Sequence, residues 1–323
     1  MNFNRVLITG VTGLLGSWLA KDLLNKNIEV IGIALDKEKN FLIDSMNISN
    51  DIDIDYFDIA DSNKFIDFYK SKDFDVAIHL AAQTQVKDAL KDPVQTFESN
   101  IKGTWNILEN SRIINKPLVV ASSDKAYGIS TKLPYEENFE LKGEYPYEFS
   151  KTATDMLCTT YRKTYNLQVS VLRCGNIYGG GDLNWDRLIP GITKWLLNKE
   201  QPVLRTKGQF KRDWVYVEDV ANAYISVTNA LLDENKKVSG AYNFSSNDYL
   251  SVMDIYEKIC NTLEKKYVEP LIEEDSEFEI EDQYLSSNKI RDELDVVAKI
   301  GIDEGLKRTV NWYKSNLNII EKT

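Results

Sequence analysis

The sequence predicts an α/β protein: a doubly wound parallel sheet with a smaller C-terminal lobe. Three observations carry this. Apolar strand-like runs alternate with helical stretches from residue 5 to residue 174. A glycine turn, Gly10 to Gly16, lies between the first strand and the first helix. After Cys174 the alternation stops, and glycine, aromatic and basic residues take over.

Residues 5–9 are a short apolar strand, G-V-T-G-L-L-G follows, and the pattern predicts a helix over residues 14–25. That order is the context a dinucleotide fingerprint requires, here spaced G-x-x-G-x-x-G. Glycines permit the tight turn, and the helix N-terminus offers N–H groups to a pyrophosphate. Gly10, Thr12, Gly13, Leu14, Leu15 and Gly16 are therefore cofactor candidates. A second strand, 29–35, ends in Asp36, 26 residues after Gly10. A carboxylate there accepts from both ribose hydroxyls and repels a 2′-phosphate, which favours NAD over NADP, with Lys37 and Lys39 standing close by.

Residues 53–57 predict the third strand. Asp58 and Ile59 at its end either reach an adenine or cap a turn. The fourth strand, 75–80, runs into H-L-A-A-Q, and the small residues there let a cofactor lie close to the backbone. Leu80, Ala81, Ala82 and Gln83 join the candidates, and His79 reads as a hydrogen-bonded core residue. A long helix over residues 93–115 carries Phe97, Ile101, Trp105 and Leu108 at helical spacing, as core or subunit contact.

Residues 117–121 predict the fifth strand, and S-S-D-K-A-Y-G follows at its carboxyl end, where open α/β sheets place ligands. Tyr147 and Lys151, in Y-E-F-S-K, share one face of a helix that Pro146 opens. An ammonium beside a phenol favours the phenolate. The pair thus predicts a lowered Tyr147 pKa and a general base for an alcohol. Residues 168–173 are the sixth strand. Beyond it, Trp185, Arg187, Arg205, Lys207, Lys211, Arg212 and Trp214 suggest a lobe that holds something anionic. Residues 215–220 predict a further strand-to-helix unit returning to the main sheet. Residues 273–282 are an acidic surface loop, and 304–317 a closing amphipathic helix.

The chain has 323 residues, 43% of them hydrophobic, and a net charge of -11. Such a charge argues against a nucleic-acid or acidic-membrane surface but admits a small phosphorylated ligand held by local arginines. No apolar window reaches the length of a membrane span, and residues 1–5 run straight into a strand, so neither a span nor a signal peptide is expected. Cys158, Cys174 and Cys260 are scattered and odd in number, as in a reduced cytoplasmic protein. One histidine and no ligand spacing predict no metal site.

Taken together, G-V-T-G-L-L-G, H-L-A-A-Q, N-I-K-G-T (Asn100 to Thr104), Y-E-F-S-K and R-D-W-V-Y-V-E-D-V (Arg212 to Val220) resemble the extended short-chain dehydrogenase/reductase superfamily, its nucleotide-sugar epimerases and dehydratases in particular. S-D-K-A-Y-G, G-S-W-L and G-N-I-Y-G-G-G-D-L-N-W-D-R-L-I-P look like the CDP-glucose 4,6-dehydratase branch. R-D-W-V-Y-V and E-L-D-V (Glu293 to Val296) depart from that branch, and the nucleotide stays open among CDP, GDP, UDP and dTDP.

The resemblance implies a Rossmann-type dinucleotide domain of residues 1–175 with 212–240, and a nucleotide-sugar lobe of 176–211 with 241–323. It implies bound NAD, with Asn100, Tyr147 and Lys151 added to the cofactor set. In a 4,6-dehydratase Tyr147 would take the 4-OH proton and Lys151 would hold the ribose. Ser123 would bind the C4 oxygen, Asp124 would protonate the departing 6-OH, and Lys125 would remove the C5 proton, where related enzymes usually carry a glutamate. Gln83 and Thr84 would line the sugar pocket, with Asn176, Arg187, Leu188, Arg205 and Arg212 around the substrate. A 4-epimerase or C4 oxidoreductase is the alternative, needing no acid at C6. A non-catalytic sensor on the same fold is disfavoured by the Tyr–Lys pair. Homodimerisation would pair the helices 93–115 and 147–165 into a four-helix bundle.

Overall fold

The computed structural model describes residues 1–205, 207–235, 238, 240–265, 267–273 and 280–317. Short β-branched runs such as Val6-Leu7-Ile8 and Val76-Ala77-Ile78 are apolar on both faces, which suits parallel strands covered by helices on both sides. The chain opens with β1 (Arg5–Thr9), α1 (Leu14–Asn25), β2 (Glu29–Ala34), α2 (Phe41–Ser45), β3 (Ile52–Tyr56), α3 (Ser62–Ser71) and β4 (Val76–His79). It continues through α4 (Val86–Lys91), α5 (Pro93–Phe97), a π-helical turn (Glu98–Lys102), α6 (Gly103–Ile114), β5 (Leu118–Ser123), α7 (Pro146–Tyr165) and β6 (Val169–Cys174). The remainder is β7 (Asn176–Tyr178), α8 (Leu188–Asn198), β8 (Val203–Leu204), β9 (Lys211–Tyr216), α9 (Val217–Leu231), β10 (Gly240–Phe244), β11 (Tyr249–Ser251), α10 (Val252–Thr262), β12 (Leu271–Ile272), α11 (Asn288–Leu294) and α12 (Ile302–Ser315).

Seven strands make one parallel sheet in the order β10-β6-β5-β4-β1-β2-β3. The order reverses between β1 and β4, so a crevice opens at their carboxyl ends. One face packs on α1 and α9 through Val6, Ile8, Leu19, Leu23 and Tyr224. The other packs through Leu7, Phe65, Tyr69, Ile107, Leu108 and Cys158. Burying each such large side chain contributes roughly 1.5–3 kcal/mol, so both layers are needed to hold the sheet. A third cluster, with Ile192, Trp214, Ile255, Ile259 and Val310, forms the lobe beyond the strand ends.

Two expectations are corrected here. The strand at 211–216 does not enter the main sheet. It pairs with β7 and β11 in a separate three-stranded sheet, and the chain returns through α9 to β10. The boundary after residue 240 therefore falls inside a main-sheet strand. The helix over 93–115 is also not one α-helix. Asp92 caps α5, with Pro93 at its first position, and the π turn then shifts the register. Of the expected stripe, Leu108 joins the core, Phe97 and Ile101 are half-buried, and Trp105 is 44% exposed. All three cysteines are buried and free. Residues 274–279 of the acidic stretch lie outside the described residues. Among the described residues no helix is long and apolar enough to cross a membrane.

Candidate active site

A cavity of about 730 Å³ runs along the carboxyl ends of the main strands and under the lobe. Its floor begins at the glycine turn. Gly10 has φ +72°, and a Cβ there would lie 2.8 Å from the Ala81 nitrogen. A Cβ on Gly16 would meet the Gly10 carbonyl oxygen at 2.2 Å, so this glycine lets α1 press against the turn. α1 starts at Gly13 with no side-chain cap and no acidic residue in its first turn. Its positive end therefore faces the cavity without a protein anion, which fits a pyrophosphate. Gly10, Thr12, Gly13, Leu14, Leu15, Gly16, Asp58, Ile59, Leu80, Ala81 and Ala82 all line this cavity. Asp58 does so while its carboxylate also accepts from the Ala60 N–H at 2.9 Å, so turn cap and cavity wall coincide.

Three cofactor candidates lie elsewhere. Asp36 accepts from the Glu38 N–H at 2.9 Å and caps a 3₁₀ turn, and Leu35 takes its place on the cavity wall. An aspartate two residues before a free N–H closes this local turn readily. Asn100 is 1% exposed. Its amide exchanges hydrogen bonds with the Gln83 backbone, at 2.7 and 2.9 Å, and donates to Ser150 Oγ at 2.9 Å. The Gln83 side chain is engaged with the Gln85 backbone. Asn100 and Gln83 hold the loop after β4 rather than the cavity wall.

The catalytic candidates converge. Ser123, Asp124, Lys125, Tyr147 and Lys151 all line the cavity. Ser123 Oγ donates to Asp124 Oδ1 at 2.8 Å, and the Lys125 N–H donates to Ser123 Oγ at 3.2 Å. Asp124 Oδ2 is buried without a hydrogen-bond partner. Burial raises the Asp124 pKa against the pull of Lys125 and Ser123. Burial likewise pushes the Tyr147 phenol up to about 12, opposed by the Arg187 charge and by a hydrogen bond to Ser123. Lys151 is drawn down to about 8 by burial, and its ammonium donates to the Ala121 carbonyl at 3.2 Å. The expected lowering of Tyr147 by Lys151 is thus corrected. Lys151 reaches down to the end of β5, and Arg187 is the cation that acts on the phenol.

On the lobe side, Thr84, Asn176, Arg187, Leu188, Arg205 and Arg212 line the cavity. Arg187 spans it, donating to Asp182 Oδ2 at 3.0 Å and to Thr84 Oγ1 at 3.1 Å. Arg205 donates to the Asp186 carbonyl at 3.3 Å and stays largely exposed. Arg212 is buried, and its guanidinium donates to the carbonyls of Lys211, Ile280 and Glu281. It thereby fastens the 280–283 segment beside Asp124, where Gln283 Nε2 donates to the Asp124 carbonyl at 3.2 Å. That is a different task from a free substrate arginine. Trp195, Val203, Leu204 and Val252 complete an apolar end of the cavity that sequence reasoning missed, because each reads as ordinary core.

The comparisons agree with this geometry. Residues 6–243 match the family model described as the NAD dependent epimerase/dehydratase family. The chain is 28% identical to CDP-glucose 4,6-dehydratase of Salmonella typhimurium, over 96% of this chain and 90% of that one. It is equally 28% identical to UDP-glucuronate 4-epimerase of Thermodesulfobacterium geofontis, over 98% of each chain. Among solved structures, dTDP-glucose 4,6-dehydratase of Bacillus anthracis in complex with NAD superposes with a TM-score of 0.84 at 25% identity, over 97% of both chains. The chain is an enzyme of the NAD dependent epimerase/dehydratase family, on its Rossmann-type fold.

Proposed function

We propose that the protein is a nucleotide-sugar 4,6-dehydratase that works through NAD held over the glycine turn. The observation that carries the reading is the Asp124–Lys125 pair beside Ser123: a buried carboxyl with an unpartnered oxygen and a raised pKa, next to an amine. Burial disfavours the charged form of such a carboxyl, which suits it to act as a proton donor. An epimerase has no departing group that needs such an acid.

The hydrogen at C5 of a hexose is not acidic until C4 is a ketone, which spreads the carbanion charge onto oxygen. Bound NAD would supply the hydride acceptor for C4 and the hydride returned at C6. Tyr147 accepts the 4-OH proton, with Ser123 holding the C4 oxygen. Arg187 and Ser123 offset part of the rise that burial imposes on the phenol. Lys125 removes the C5 proton and Asp124 protonates the departing 6-OH, so one water leaves. The α1 N-terminus and Lys151 hold the cofactor. Asn176, Arg187 and Arg205 receive the substrate diphosphate on the lobe side of the cavity. Val94, Trp105, Phe149 and Met156 form an exposed apolar face on α5, α6 and α7, which we assign to a homodimer. Light scattering that finds only monomer at assay concentration removes that assignment.

The equal likeness to an epimerase favours C4 epimerisation as the second reading. Mass spectrometry of the protein with a panel of nucleotide hexoses in deuterated water separates the two. Loss of one water with deuterium at C5 supports the dehydratase. An isomer of unchanged mass without deuterium refutes it.

A further inference from the structure

His79 is the only histidine in the chain, and the proposed chemistry does not use it. It ends β4 and is 3% exposed. Its Nδ1 lies 2.7 Å from Thr9 Oγ1, and its Nε2 lies 3.3 Å from Thr104 Oγ1. Thr9 Oγ1 already accepts from the N–H groups of Leu80 and Ala81, at 3.2 Å each. Both its lone pairs are taken, so its own proton points at His79, and Nδ1 is the acceptor. The opposite end gives the same answer independently. Thr104 Oγ1 donates to the Asn100 carbonyl at 2.5 Å, so toward His79 it accepts, and Nε2 carries the hydrogen. A second proton, on Nδ1, would face the Thr9 proton. Burial and the Lys151 charge act in the same direction, taking the His79 pKa down to about 3.

The ring joins two parts of the cavity. Thr9 precedes Gly10 and holds Ala81, the backbone that packs against Gly10. The Asn100 carbonyl also accepts from Thr154 of α7 at 3.1 Å, the Asn100 amide donates to Ser150, and Ser150 donates to the Tyr147 carbonyl at 2.7 Å. Hydrogen bonds thus run without a break from the glycine turn to the helix that bears Tyr147 and Lys151.

We infer that His79 is a positioning residue, fixed as the neutral Nε2–H tautomer, that sets the glycine turn in register with the Tyr147 helix. The inference rests on the reading of this cavity as an NAD-dependent redox site. Its two ends make separable claims: Nδ1 serves the cofactor floor, and Nε2 serves the helix.

With one histidine, ring-¹⁵N-labelled protein without added ligand gives a single pair of resonances. The expected result is a pyridine-like Nδ1 and a pyrrole-like Nε2, unchanged between about pH 5 and 8. A reversed pair, or a charged ring in that range, overturns the inference. The variants test the register. His79→Asn keeps an acceptor for Thr9 and should bind NAD nearly as the wild type does, with turnover reduced at least ~10-fold. His79→Gln keeps a donor toward Thr104 and should instead weaken NAD binding by about 10-fold. Equal losses of binding and turnover in both variants overturn the register. Should neither variant fold, the resonances of the wild type still decide. A wild type with the expected tautomer that binds no NAD overturns the cofactor reading itself, whereas a reversed tautomer with NAD bound overturns this inference alone.

Discussion

The two walls of the cavity are built by different means. The sheet-side wall is made of backbone and short side chains: the glycine turn, Ala81, Ser123 and the first turns of α7. Behind it, the buried Thr9, His79, Asn100 and Ser150 tie the glycine turn to α7 in one network. The lobe-side wall is made of long side chains. Arg187 reaches across to Thr84, and Arg205 leans on Asp186 with much of its surface in water. A wall of the first kind fixes reacting atoms to fractions of an ångström, as acid–base chemistry demands. A wall of the second kind adapts to a ligand, as substrate choice demands. Chemistry should therefore depend on the first wall, and affinity on the second.

Tyr147→Phe attacks the fixed wall and has the largest expected effect. Loss of the general base should lower turnover by about 10²–10⁴-fold while NAD still binds, as isothermal titration would show. Turnover within a few-fold of wild type would break the comparison at its strongest point. Arg187→Met attacks the adaptable wall. It should raise KM for the nucleotide sugar by about 10- to 100-fold, the worth of one or two charge-assisted hydrogen bonds. Removing that cation also leaves Tyr147 higher still, so the alkaline rise of the rate should move to higher pH. A loss confined to kcat, with KM unchanged, would place Arg187 on the wrong side of the comparison.

The smallest effect concerns stability. Asp213 is fully buried beside Gly175, and burial raises its carboxyl pKa to about 7. The folded chain therefore keeps a proton that the unfolded chain releases near pH 4. Stability from this group is fully present below about pH 4, is lost as pH rises toward 7, and stays lost above. Asp213→Asn removes the titration, and an amide oxygen can still accept from the Leu285 N–H. Its stabilisation relative to wild type should be larger at pH 8 than at pH 5, by on the order of 1–2 kcal/mol. Denaturant melts at the two pH values would show it, and a pH-independent difference would show that Asp213 does not titrate.

The same contrast explains what was legible in the sequence. Glycine turns, strand ends and a Tyr–Lys pair one helical turn apart are local, and local geometry follows from residue order. The first six strands of the sheet and the convergence of Ser123, Asp124, Lys125, Tyr147 and Lys151 could be read in that way, whereas β10 fell on the lobe side of the expected boundary. Side-chain partners set by tertiary packing could not. Arg212 turned to the carbonyls of Ile280 and Glu281, and Lys151 to that of Ala121. Each charged group has several acceptors within reach, and only the folded chain selects among them. The π turn at Glu98–Lys102 was hidden for a related reason: its extra residue per turn leaves the helical composition unchanged. Trp195, Leu204 and Val252 look like any core residue, and only the cavity shows which of their faces is open.

The claim that matters most is that oxidation at C4 and elimination at C5–C6 are served by different residues of the fixed wall. It is tested by the variant Asp124→Asn with Lys125→Met, mixed with NAD and the accepted nucleotide sugar and followed by the near-ultraviolet absorbance of reduced nicotinamide. The account predicts that NAD still oxidises C4, with Tyr147 taking the proton and Ser123 holding the oxygen, so reduced cofactor accumulates beside a 4-keto sugar that keeps its 6-OH. Loss of water at the wild-type rate, with no reduced cofactor building up, would contradict it.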